Sequence, residues 1–237
     1  MVTEFVLLIL GAYLLGSVPA AYLVARLSRG IDIRQYGSGN VGVGNLWRMT
    51  SKWLAMPVII FDLGKGMLMV WAAQLVGLSI AQQVTVGVAA IIGHNWPVFL
   101  RFSGGRGILT TLGVVLLLPL VNGLMPWGIV VFGAITVAVI FIIRNVPLGV
   151  GAGITALPLV SWGLGRPISL TLGFLAMFLI MVIRRLAAPQ PLDVASIGKK
   201  QLFLNRLLFD RDIRDRKAWI DRAPPQDSRK EQRENLS

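Results

Sequence analysis

Residues 53–78 read WLAMPVIIFDLGKGMLMVWAAQLVGL, and this stretch decides the fold class. It is long and apolar enough to cross a bilayer as a helix, for which about 20 residues are needed. Yet it carries one acid and one base, Asp62 and Lys65, near its middle. Three residues apart, they share one helical face. Ionisable groups at that depth must pair or meet water, so they are functional candidates, with a purely structural ion pair as the competing reading. Gly64 and Gly66 beside them ask for close approach of a helix or a ligand.

Working outward, comparable apolar runs occupy 2–25, 81–100, 108–123, 126–143, 146–163 and 168–183. The expected fold is all-α: a polytopic membrane protein of about seven transmembrane helices. Gly16, Pro19, Pro119 and Pro158 do not veto these runs, because membrane helices tolerate both residue types. Basic residues set the orientation. Arg26, Arg29, Arg34, Arg48, Lys52, Arg101, Arg106, Arg144, Arg184 and Arg185 fall in or beside alternate loops, and the opposite loops contribute only Arg166. This predicts the N-terminus outside, the C-terminus cytoplasmic and every basic loop on the inner face. The first run has no basic leader or cleavage site and reads as a retained helix.

The chain is 55% hydrophobic and 14% charged, with a mean hydropathy of +0.71. Before Leu186 three acids, Glu4, Asp32 and Asp62, face twelve basic residues; the remainder holds eight acids and eleven basic residues. A membrane catalytic domain over 1–185 is therefore expected to precede a polar cytoplasmic tail over 186–237. Within that tail, 199–219 could lie on anionic lipid as an amphipathic helix with Leu202, Phe203, Leu207 and Phe209 inward. There is no cysteine and one histidine, His94, which excludes disulfides, a thiol nucleophile and a multi-histidine metal centre. No metal or cofactor is implied, and the expected macromolecular surroundings are membrane lipid rather than nucleic acid.

Four polar clusters lie toward the basic face. In residues 36–48, YGSGNVGVGNLWR, Gly37 and Gly39 open the backbone to an anion while Ser38, Asn40, Asn45 and Arg48 offer hydrogen bonds; a turn-rich loop is the competing reading. The second cluster is Asp62 and Lys65. The third, residues 93–107, GHNWPVFLRFSGGRG, joins His94 and Arg101 to Gly104, Gly105, Arg106 and Gly107, which would put free amides at a helix N-terminus. His94 alone reads more readily as a hydrogen-bonded structural histidine than as a base. The fourth is Arg144 with Asn145, where a simple helix anchor competes. Cations with few acids among them would gather a multiply anionic substrate, and phosphate is the fitting class.

The order Gly16-Ser17-Val18-Pro19, then GSGN, FDLGKG and GHNWPVFLRFSGGRG, resembles the membrane glycerol-3-phosphate acyltransferases that use acyl phosphate, the PlsY family. The resemblance implies transfer of a fatty acyl group from acyl phosphate to glycerol 3-phosphate, giving 1-acylglycerol 3-phosphate and phosphate. It implies catalytic roles for Ser38, Arg48, Arg106 and His94. It implies substrate binding by Asp62, Lys65, Gly104, Gly105 and Gly107, to which the cluster reading adds Gly37, Gly39, Asn40, Asn45, Arg101 and Arg144 as expected substrate-binding residues. Gly44 stands where the family commonly has threonine, and Arg106 where it has lysine. Arg184-Arg185-Leu186-Ala187-Ala188 replaces an Arg-His-x-x-Asn motif, with Asn205 resembling a displaced remnant of it. Two other classes remain open from sequence: a transporter of an anionic solute and a non-catalytic paralogue.

Overall fold

A computed structural model describes residues 1–187 and 197–220, all helical or irregular, with no strand among them. The proline pairs 189/191 and 224/225 of the tail lie outside the described residues. In order, the helices are α1 (Val2–Gly16), α2 (Ala20–Arg29), α3 (Val43–Met49), α4 (Lys52–Leu75), α5 (Ile80–Asn95), α6 (Ile108–Val121), α7 (Trp127–Ile143), α8 (Val146–Gly163), α9 (Ile168–Leu186), α10 (Lys199–Phe209) and α11 (Arg216–Ile220). Five stretches are long and apolar enough to cross a membrane: Val2–Arg29, Lys52–Leu75, Ile80–Leu100, Val146–Gly163 and Ile168–Leu186. α6 and α7 are apolar but shorter.

Local chemistry sets the ends. Ser51 caps α4 by accepting the Leu54 N–H at 3.3 Å, and Asn145 caps α8 by accepting that of Leu148 at 3.1 Å. Ser79 and Gln82 cap each other reciprocally at the start of α5. The first run, expected to be one helix, is instead broken at Ser17–Pro19. Proline at 19 cannot donate to the ladder, and α2 restarts behind it.

Without water to drive them together, membrane helices associate where small residues let backbones touch. A Cβ on Gly16 would overlap the Ala90 carbonyl, and one on Gly93 the Tyr13 carbonyl, so α1 and α5 cross almost backbone to backbone. Gly66 and Gly113 do the same for α4 and α6. Gly93→Ala is accordingly expected to lower the melting temperature of detergent-purified protein. Overpacking of about 1–3 kcal/mol exceeds the ~1 kcal/mol alanine gains in helix propensity. Melting at or above wild type would mean that this crossing can open freely.

These crossings hold the polar centres of α4 and α5 against each other. Residues 40–44, 106–109 and 146–150 then gather at one end of the helices, together with Arg185.

Candidate active site

Asp62 and Lys65 stand one turn apart on α4, each 2% exposed, with Lys65 Nζ 2.8 Å from Asp62 Oδ1. Spacing alone indicates that pair; tertiary packing adds the rest. Lys65 Nζ also lies 2.8 Å from His94 Nδ1 and donates to the Gly16 carbonyl at 3.0 Å. A buried ammonium needs three acceptors, and here it has them. The broken α1 supplies one of these: Ala20 N–H turns to the Val18 carbonyl, leaving that of Gly16 for the lysine. Lys65, expected to contact substrate, is thus turned toward protein atoms. His94 Nδ1 faces this cluster, 3.5 Å from Asp62 Oδ1, and if it accepts from the ammonium the ring proton sits on Nε2, which is packed against Gly105.

Asn45, also expected to bind substrate, is a loop staple. Its Nδ2 donates to the carbonyls of Ile33 and Tyr36 at 3.1 and 2.9 Å, and its Oδ1 accepts the Ser38 N–H at 3.1 Å. The chain can follow it because Gly37 has φ +57°, and a side chain there would strike the Asn45 amide. Asp32 secures the approach to this loop by accepting from Arg34, whose guanidinium hydrogen bond holds the Asp32 carboxyl below its usual range. Beyond the staple, Asn40 and Gly44 border a cleft, and Arg48 follows Gly44 by one turn of α3 on an exposed face. A Cβ at Gly44 would meet nothing within 4 Å, so the missing threonine leaves open space.

The glycine-rich stretch is pinned from both sides. Gly105 N–H donates to the His94 carbonyl at 3.1 Å, so it is not the free amide expected from sequence. The carbonyls of Gly104 and Gly105 accept from Arg184 at 2.7 and 3.0 Å. Gly107, at φ +69°, opens α6, and Arg106, Gly107, Ile108 and Leu109 line the cleft, so the positive end of a helix borders it. Arg106 Nε lies 2.8 Å from Asp210 Oδ1, and its Nη1 donates to the Arg184 carbonyl at 3.0 Å.

The resulting cleft encloses about 260 Å³. Asp62, His94, Asn40, Arg106, Arg185 and Asp210 make its polar side, and Val43, Ile108, Val146 and Val150 its apolar side. An anion and an alkyl chain could share it. A slot lined by Ser17, Gly104 and Gly105 meets it at Asp62 and His94. Of the residues expected at the site, Ser38, Arg48, Lys65, Arg101 and Arg144 line neither space. Arg101 and Arg144 instead end helices with left-handed backbone, φ +51° and +55°, on exposed surface.

Sequence reasoning treated Arg184 and Arg185 as inner-face anchors, but both are 5% exposed. Arg185 donates to the carbonyls of Leu207 and Pro147 at 2.7 Å each, and Gly151 makes room for its guanidinium. Missed altogether was Asp210. The tail helix α10 packs on α8 and α9, burying Asn205 and Arg206 and leaving Phe203 exposed.

A family model described as glycerol-3-phosphate acyltransferase matches residues 6–190. Among curated relatives, glycerol-3-phosphate acyltransferase 5 of Dehalococcoides mccartyi strain 195 is 43% identical, covering 94% of this chain and 97% of its own. Glycerol-3-phosphate acyltransferase of Desulforudis audaxviator is 40% identical over 65% of this chain and 75% of its own. The solved structure of PlsY, an integral membrane glycerol 3-phosphate acyltransferase in its glycerol 3-phosphate form, superposes with a TM-score of 0.69 at 28% identity. It covers 76% of this chain and 88% of that one.

Proposed function

The chain belongs to the glycerol-3-phosphate acyltransferase family, and on that premise we propose that its acyl donor is an acyl phosphate and that the cleft at Asp62, His94 and Arg106 is where transfer occurs. It is a multi-pass membrane enzyme that acylates glycerol 3-phosphate, a step of phospholipid synthesis. Covalent transfer sets solute transport aside. Seven spans, with the N-terminus outside and the cleft on the cytoplasmic face of the cell membrane, accommodate the basic loops best. The gathering of alternate connections around one cleft supports that topology.

Acyl phosphate is a mixed anhydride, so orientation supplies much of the rate. The glycerol 3-phosphate hydroxyl attacks the acyl carbon; the acyl–oxygen bond to phosphate breaks, and the proton passes to the departing phosphate. Arg106 and the N-terminal turn of α6 hold the acyl phosphate and stabilise the charge that develops on it. Asn40 in the cleft and Arg48 at its rim hold glycerol 3-phosphate, on a loop fixed by the Ser38 N–H bond to Asn45. Asp62, Lys65 and His94 form the rigid floor, with His94 Nε2–H a donor rather than a base. The acyl chain follows the apolar wall toward the lipid. Products are 1-acylglycerol 3-phosphate and inorganic phosphate.

One observation carries this reading: a helix N-terminus, Arg106 and the loop of Asn40 share one cleft with an apolar wall. Purified protein given acyl phosphate and glycerol 3-phosphate is expected to release phosphate and lysophosphatidic acid, with acyl-CoA inert as donor. Arg48→Ala is expected to lower kcat/KM on the order of 100-fold. Unchanged turnover in that variant would refute the role assigned to Arg48.

A further inference from the structure

We infer that Asp210, carried to the cleft by the tail helix α10, is the positioning residue for Arg106, so that the segment after the last span completes the acyl-phosphate pocket. The inference rests on the reading that Arg106 holds the donor phosphate.

Arg106 is held at two separate nitrogens of its guanidinium. Nε sits 2.8 and 3.0 Å from the two Asp210 oxygens, and Nη1 donates to the Arg184 carbonyl at 3.0 Å. Among the described residues Nη2 has no hydrogen-bond partner, which leaves it to a ligand. Arginine can do this because its planar fork carries donors on three separate nitrogens; a lysine has its three donors on one atom and cannot reach partners so far apart with the same fixed geometry. The lysine-to-arginine change and the tail carboxylate therefore belong to one device.

Asp210 is itself fixed. It ends α10 with left-handed backbone, φ +54°, and the helix behind it is tied down. Arg206 donates to the Leu186 carbonyl at 2.7 Å and pairs with Asp212 at 2.6 Å, while Asn205 donates to the Asp212 carbonyl at 2.8 Å. Arg206 and Asp212 are 7% and 1% exposed. A buried pair of this kind is a poor source of stability but a good means of specifying one geometry. A carboxylate beside a pocket for phosphate also repels the substrate, so its presence calls for a gain elsewhere. Orientation of Arg106 is that gain.

The test is a double-mutant cycle in the full-length protein, reading kcat and KM for each substrate. Asp210→Asn is expected to lower kcat/KM for acyl phosphate by about 10- to 100-fold, with KM for glycerol 3-phosphate little moved. Combined with Arg106→Ala, it should add nothing to the loss from Arg106→Ala alone. Asp210→Glu, which keeps the charge but displaces it, should fall between wild type and Asp210→Asn, and it carries the test if the asparagine variant does not purify folded. Losses that multiply in the double variant would overturn the inference while leaving Arg106 in its role. So would unchanged kinetics in Asp210→Asn, or faster turnover, the mark of a tail that merely neutralises Arg106. Wild-type kcat/KM in Arg106→Ala would instead overturn the donor-site reading, and the positioning role with it.

Discussion

Asp62→Ala is expected to remove about 3–5 kcal/mol of stability, the cost of leaving one member of a buried ion pair uncompensated, and to abolish turnover. Its side chain sets the charge balance of the α4–α5 contact. Without it the Lys65 ammonium would sit buried between the Gly16 carbonyl and His94 Nδ1 with no counter-charge. The lysine would lose its proton or leave, and either outcome frees the His94 ring that packs against Gly105. Asp62→Asn, keeping shape but not charge, should lie between the two proteins. Thermal melting of detergent-purified variants with phosphate release reads both effects. Melting within about 2 °C of wild type would mean that the cluster does not hold the α4–α5 contact.

Arg184→Ala is expected to cost on the order of 100-fold in kcat/KM for both substrates. Two hydrogen bonds from a charged donor hold the Gly104 and Gly105 carbonyls, each worth roughly 1.5–3 kcal/mol, and the guanidinium also lies 6.0 Å from the centre of the Trp96 ring. Removing it releases the segment that carries Arg106 and the first turn of α6. Arg184→Lys is expected to recover only a minor part, since one ammonium does not span two carbonyls with the geometry of a fork. Full activity in the lysine variant would show that the glycine stretch holds itself.

The membrane character and the shared face of Asp62 and Lys65 were legible in the sequence because each depends on composition or spacing alone. The third partner, His94, and the fourth, the Gly16 carbonyl, were not, because they come from other helices whose crossing depends on backbone approach at Gly16 and Gly93. Charge counting treated all inner-face arginines alike. It therefore overvalued Arg101 and Arg144, whose left-handed backbone ends helices, and undervalued Arg184 and Arg185, whose burial follows from carbonyls contributed by distant loops. Asn45 resembled a ligand group because the acceptors that occupy it are main-chain atoms, invisible to a motif. Asp210 lay in a tail whose polar composition suggested a solvated end, and only the docking of α10 brings it to Arg106.

The interruption at Pro19 has a further effect on the electrostatics of substrate capture. With the Ala20 N–H turned to the Val18 carbonyl, the Gly16 oxygen serves Lys65 as a neutral acceptor, and Asp62 is its one acid partner among the described residues. A dianion entering the proposed site would meet a floor with one acid rather than two, a consequence of the break between α1 and α2.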